Sequence, residues 1–347
     1  MRGEGSTFMK RTKKLVKNFI LFLILIIITF YIILKDQDIT EIINIVFSVK
    51  KEFILIAVLC MILYLSCEAI NIRRTLRTLN ENLSFPKALK IAFIGFFFSS
   101  ITPAASGGQP MQVYYMHKDN ISIANSTLTL LINLSCVQIV TISIALFSLI
   151  FNYQYLNTVL IWFLILGVTL NLTALALLLI SIFSKRMTNW IIQITLRILT
   201  FFKVKNIEEK QERFESELTK YQGSAKYIKK NGKLIIKTLL TTYLQYIIFY
   251  SISYWVYCSF GLQGHNAFEI ITLQSVLYAT VSGIPSPGAI GVSEGGFLAI
   301  FSSIFMKDLL KSAMLLNRGI NFYLFVIISS IIVIINTIRD KKKALKE

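Results

Sequence analysis

Charge, histidine and cysteine are all scarce in this 347-residue chain. Only 16% of its residues are charged, and it holds two histidines, four cysteines and five prolines. A soluble protein of this size needs more polar surface than that to cover its cores. Disordered chains are poor in Phe, Ile and Leu, whereas residues AVILMFWYC make up 55% of this one and its mean hydropathy is +0.65. The four cysteines (Cys60, Cys67, Cys136, Cys258) stand apart with no Cys-x-x-Cys, and only His117 and His265 could assist them. No zinc set results, so no metal or cofactor is expected and the cysteines read as packing residues. The G-x-x-x-x-G-K-[ST] phosphate loop is missing, which excludes an ATP-driven pump within this chain. No small-x-small cleavage site follows the first apolar run, so no cleavable signal peptide is expected. Strand-length alternation is missing as well, and a chain this apolar without it must span membranes as helices. Acid is scarcer than base, 18 Asp+Glu against 36 Lys+Arg, for a net +18. Basic loops held against anionic lipid account for that excess without nucleic acid.

Apolar runs fall at 18–34, 53–72, 88–101, 126–151, 155–183, 234–260, 268–284, 289–305 and 313–338. A crossing helix needs about 20 apolar residues. The run at 88–101 is short and stops at Thr102-Pro103, and Pro and Gly break the pair around Pro285. Lysine and arginine mark the cytoplasmic side. Lys10–Lys17, Arg73-Arg74-Arg77, Lys185-Arg186, Lys226–Lys237 and Lys341–Lys343 then place both termini inside. Residues 77–126 begin and end inside, as a re-entrant hairpin. Residues 268–308 begin and end outside, as a second hairpin or as two thin spans. The expected fold is all-α and polytopic, with six full spans and two re-entrant broken-helix hairpins in a single domain over 1–347. Its halves repeat the order span, span, hairpin, span with opposite orientation, the inverted-repeat pattern of transporters. The suggested register pairs Ser100-Ile-Thr-Pro103 with Ser282-Gly-Ile-Pro285. Between the halves, 185–233 reads as a cytoplasmic insert. Trp190, Ile191, Ile194, Ile198 and Phe202 give it a headgroup-layer face, and Glu208–Lys220 gives a solvated helix.

The two hairpin turns hold the candidate binding residues. Thr102, Ser106, Gly107, Gly108 and Gln109 form one, and Ser286, Gly288, Gly291 and Ser293 the other. Glycine permits close backbone approach, and a Gly/Ser-led helix start offers N–H groups to a phosphate; equally, small residues let helices pack tightly in lipid. Glu294, after the second turn, and Arg318, one turn into the last helix, are ionisable residues at membrane depth. Such residues pair or line a polar path. Either they pair directly, or Arg318 holds a lipid phosphate while Glu294 faces a cationic or hydroxyl group. Glu68 and Arg73 are explained by snorkelling to the interface. Gly291-Val-Ser-Glu-Gly295 matches G-x-S-x-G in letters, but a nucleophile elbow needs a strand-turn-helix and a histidine base. No catalytic residue is expected.

These residues resemble a known family. Thr102–Tyr114 (Thr-Pro-x-x-Ser-Gly-Gly-Gln-Pro-Met-Gln-x-Tyr), Pro285–Gly295 (Pro-Ser-Pro-Gly-x-x-Gly-x-x-Glu-Gly) and Arg318 are similar to the lysylphosphatidylglycerol synthase transmembrane family. This is the flippase-like membrane domain of the bacterial multiple peptide resistance factor, which also occurs alone. The resemblance spans nearly the whole chain and implies a translocator of aminoacylated phosphatidylglycerol in the bacterial plasma membrane. Its implied partners are the phospholipid, the membrane and further copies of the chain. After Arg339 only a basic tail remains, where full-length relatives carry the aminoacyl-transfer domain. Relatives often carry an acidic–basic pair where Ile132-Asn133 stand here, so the cargo need not be the lysylated lipid. A lipid translocator without covalent chemistry is the first reading. The alternative is a phosphatidylglycerol lysyltransferase or its accessory subunit, contributing to resistance against cationic antimicrobial peptides.

Overall fold

The computed structural model describes residues 27, 31, 39–156, 158–184, 207–284 and 286–344. The expected first span at 18–34 and the headgroup-layer face from Trp190 to Phe202 lie outside the described residues. Pro285 does too. Among the described residues the chain is helical without strands. Its helices are α1 (Ile39–Ser48), α2 (Lys51–Thr78), α3 (Phe85–Ser100), α4 (Gly108–Lys118), α5 (Ile123–Asn152), α6 (Thr158–Phe183), α7 (Ile207–Lys230), α8 (Gly232–Ser259), α9 (Ala267–Val281), α10 (Val292–Ile300), α11 (Lys307–Arg318) and α12 (Leu324–Ala344). A π-turn, Gly319–Tyr323, joins α11 to α12. Five segments are long and apolar enough to cross a membrane: α2, α5, α6, α8 and the joined Lys307–Arg339.

The two expected hairpins are present, and helix length sets their depth. At about 1.5 Å per residue, α3 and α9 reach about 24 and 23 Å, short of the roughly 30 Å hydrocarbon layer. The alternative of two thin spans at 268–308 fails, because α10 has only nine residues and gives way to a 3₁₀ turn at Phe301–Ser303. Helix α2 begins where α8 ends, Lys50 N–H donating to Ser259 C=O at 2.9 Å, and the two antiparallel helices form the most extensive pair in the fold. Each half then reaches into the other: α5 packs on α9, and α12 packs on α3. This reciprocity is what two inverted halves require.

Basic residues gather at one end of the bundle, around Arg73–Arg77, Lys87, Lys90 and Lys226–Lys237. There α7 is not simply solvated: Tyr221, Ala225 and Ile228 are buried against Leu128, Ile132 and Leu234. Glu217 accepts from Ala124 N–H (2.7 Å) at the start of α5. Glu81 accepts from Asn125 Nδ2 (2.9 Å) and Lys220 Nζ (3.3 Å). Burial pushes the Glu81 carboxyl up, but hydrogen bonds from Asn125, Ser122 and Lys220 outweigh it and hold it below the usual 4.5. The ionised form is the bonded one, so its contribution is complete above 4.5 and lost as pH falls through the lowered value. Acidification from neutrality to below about 4 should therefore loosen α7. Amide exchange over 217–228 should speed up, and Glu81→Gln should reproduce part of that effect at neutral pH. Unchanged exchange in both cases would mean that apolar packing alone holds α7.

Candidate functional site

The two hairpin tips touch one another, and they are copies of one local structure. Each is a 3₁₀ turn opened by proline, Pro103–Ala105 and Pro287–Ala289. In the first, Ala105 N–H donates to Thr102 C=O and Ser106 N–H to Pro103 C=O, both at 3.2 Å. In the second, Ala289 N–H donates to Ser286 C=O (3.1 Å) and Ile290 N–H to Pro287 C=O (3.2 Å). Two successive left-handed residues follow each proline, Ala104 and Ala105 (φ 51° and 53°), then Gly288 and Ala289 (φ 59° and 52°). Alanine adopts this region at a cost. Its recurrence at both tips marks a repeated motif, Thr-Pro-Ala-Ala against Ser-Pro-Gly-Ala. The sequence register that pairs Pro103 with Pro285 is thus corrected by two residues: Pro103 corresponds to Pro287.

Glu294 and Arg318 form the direct pair. Arg318 Nε donates to Glu294 Oε1 at 2.8 Å, and Arg318 Nη2 donates to the Gly288 carbonyl at 3.0 Å. Tyr323 OH donates to the same Glu294 oxygen (2.9 Å), and Gly291 N–H donates to Oε2 (2.7 Å). Both carboxylate oxygens are thereby engaged, in a side chain only 1% exposed. Arg318 lies at the end of the third turn of α11, deeper than one turn in, because the helix starts at Lys307. The π-turn that follows carries Tyr323 to the carboxylate; such local rewinding is common at functional sites. Phe322 lies under the guanidinium, 4.3 Å from Arg318 Cζ to its ring centre.

Gly288 is a position where glycine is required. A Cβ there would lie 2.1 Å from Phe322 Cζ, on a backbone with φ +59°. Gly288→Ala should displace Phe322 from Arg318 and cost about 1–3 kcal/mol. Gly295→Ala, where a side chain meets nothing within 4 Å, should be neutral or slightly stabilising. Thermal melts of the two variants check this; equal midpoints would remove the steric argument.

Two cavities adjoin the tips. The larger, about 570 Å³, is walled by α2, α3, α4, α5, α6, α8 and α9, and its polar lining includes Glu68, Gln109, Gln112, Asn133, Gln138 and Asn171. The smaller, about 220 Å³, includes Ser286, Gly288, Ser293, Arg318 and Asn321. The two share Tyr64, Ser99, Tyr278 and Ser282. Of the expected residues, Gln109 therefore reaches the larger cavity, and Ser286, Gly288, Ser293 and Arg318 the smaller. Thr102, Ser106, Gly107, Gly108, Gly291 and Glu294 line neither and shape the tips instead. Two N–H groups expected for a phosphate are already spent, Gly107 on Thr102 Oγ1 (2.9 Å) and Gly291 on Glu294.

Sequence reasoning missed the wall of the larger cavity. Glu68 does not snorkel: it faces the cavity and accepts from Gln112 Nε2 at 2.8 Å. Asn133 Nδ2 and Oδ1 and Gln138 Oε1 are buried without a hydrogen-bond partner among the described residues. The available signal was polar residues at helical spacing within apolar runs: Tyr64, Glu68 and Asn71 on α2, and Thr242 and Gln245 on α8. At intervals of three and four, such residues share one face.

Crossed hairpins, reciprocal halves and a polar cavity inside apolar helices define a multi-pass helical membrane protein with an internal repeat. The chain belongs to the family described as the lysylphosphatidylglycerol synthase TM region, whose family model matches residues 18–329. It is also similar to a UPF0104 membrane protein of Pyrococcus horikoshii, with 24% identity over 297 residues, 82% of this chain and 87% of that protein. The family points to a membrane protein that handles lipid.

Proposed function

We propose that this chain is a flippase-like translocator, binding an anionic or aminoacylated phospholipid such as phosphatidylglycerol or its lysyl derivative and moving it across the cell membrane without covalent chemistry. One observation carries this reading: a 570 Å³ cavity between apolar helices, whose lining includes the polar side chains Glu68, Gln109, Gln112, Asn133 and Gln138. A polar group in an apolar medium costs several kcal/mol unless something bonds it. A polar lining supplies such bonds to a lipid headgroup while its acyl chains stay outside, against the lipid-facing apolar surfaces.

The cavity lies toward the basic end, between Asn171 and Ser181 of α6 and beside Asn71 of α2 and Thr242 of α8. On its other side aromatic rings narrow the space toward the smaller cavity. Tyr64, Tyr246, Phe249 and Tyr278 pack ring on ring at 4.8–5.8 Å, and Phe297 stacks on Phe301 at 4.4 Å further out. A wide cavity toward one end and tight aromatic packing toward the other fit alternating access through rocking of the two halves. Taking the basic end as cytoplasmic, both termini are inside and this conformation loads from the inner leaflet.

The test is purified protein in liposomes with acyl-labelled phosphatidylglycerol, lysyl-phosphatidylglycerol and a zwitterionic control, read by leaflet-selective quenching. Exchange of at least one of the first two should exceed that in protein-free liposomes. Background exchange for every lipid, together with transfer of lysine from charged tRNA to lipid, would overturn translocation in favour of synthesis.

A further inference from the structure

Most carboxylates among the described residues are accounted for. Glu294 is held by Arg318, Glu81 by Lys220, Asp119 by Lys87 and Lys90, and Glu269 by His265. Glu217 caps the start of α5, while Glu52 and Asp308 are exposed at helix starts. Glu68 differs. It lies inside a membrane-spanning helix and, among the described residues, makes no ion pair and has one hydrogen bond, from the neutral Gln112 amide. Among the described residues it is also the sole carboxylate lining the larger cavity, and none of those lining it is a lysine, arginine or histidine. The charges of the two cavities are thus segregated: Arg318 is the one basic side chain lining the smaller, and Glu68 the one acid lining the larger. A guanidinium has five N–H donors; two of those on Arg318 are spent on Glu294 and Gly288.

We propose that Glu68 is the specificity-determining residue of this site and holds the ammonium group of an amine-bearing phospholipid headgroup, with the lipid phosphate toward Arg318. This rests on the assignment of the cavity to a lipid headgroup. The acid that the sequence offered for a cationic group was Glu294, but its two oxygens are taken by Arg318, Tyr323 and Gly291. A carboxylate without a cation at membrane depth is costly, and a bound ammonium removes that cost through a charge-assisted hydrogen bond. Hydroxyl-bearing headgroups gain less there, because a neutral hydroxyl brings no opposite charge to the carboxylate.

Direct binding tests this separately from transport. Full-length protein in nanodiscs would be titrated with phosphatidylethanolamine, lysyl-phosphatidylglycerol and phosphatidylglycerol, and bound lipid read by native mass spectrometry. The wild type should prefer the two amine-bearing lipids by roughly tenfold or more. Glu68→Gln should erase the preference; its amide oxygen still accepts from Gln112, so its melting midpoint should stay near wild type. Glu52→Gln, at the exposed start of α2, should leave the preference intact. Equal wild-type binding of all three lipids, or a preference that survives Glu68→Gln, would overturn the role of Glu68. If the preference is present but liposomes show no exchange, the translocator reading fails and the amine site stands.

Discussion

Arg318→Ala should be the most damaging single substitution in the molecule. It leaves Glu294, 1% exposed, as an uncompensated carboxylate at membrane depth. Removing one partner of a buried ion pair costs about 3–5 kcal/mol, more than the pair itself contributes. It also frees the Gly288 carbonyl and removes the group that stacks on Phe322. The expected result is a large fall in melting midpoint and loss of lipid exchange. Arg318→Met combined with Glu294→Gln should recover most of the stability, since no buried charge is left and the amide oxygen can still accept from Gly291 N–H while its NH2 donates to the Tyr323 hydroxyl oxygen. It should not recover exchange. Arg74→Ala serves as the comparison. Arg74 is partly exposed and bonds to Asn71, Lys237 and Thr241 at the basic end, so its loss should be milder. Equal damage from Arg318→Ala and Arg74→Ala would leave Arg318 with no role beyond general folding.

The cavity wall gives the second large effect, with opposite signs in two assays. Asn133→Leu and Gln138→Leu replace side chains whose buried polar atoms have no partner among the described residues. Each unpaired buried group costs about 1–3 kcal/mol, so stability should hold or rise. Lipid exchange should fall at least tenfold, because the headgroup would have to cross an apolar wall. Loss of both stability and exchange would mean that the amides support the fold. Normal exchange with either variant would show that headgroups do not pass there.

Much of the architecture was legible from residue chemistry alone. Helices α2, α5, α6 and α8 follow from apolar runs that water cannot accommodate, and the hairpin at α3–α4 from a run that ends in Thr102-Pro103 too soon to cross. The basic clusters set the common end of α2, α6 and α8. Glu294 and Arg318 stood out because ionisable groups are rare at that depth, and they do meet. Less legible were the tip register, decided by left-handed residues that letters do not reveal, and the docking of α7, whose buried face among the described side chains is Tyr221, Ala225 and Ile228.

The sequence by itself determined that this chain is a multi-pass helical membrane protein with two broken hairpins, because hydropathy, charge asymmetry and proline act locally and leave a local record. Which carboxylate is occupied and which faces a cavity was decided only by the tertiary structure. Glu294 and Glu68 look alike in the chain, each an acid within an apolar run. Glu294 is saturated by partners three, twenty-four and twenty-nine residues away, and Glu68 is left facing a polar hollow built from seven helices. Hydrogen-bond partners and burial at membrane depth come from segments brought together by packing, so the chemistry of each carboxylate is a property of the assembled bundle.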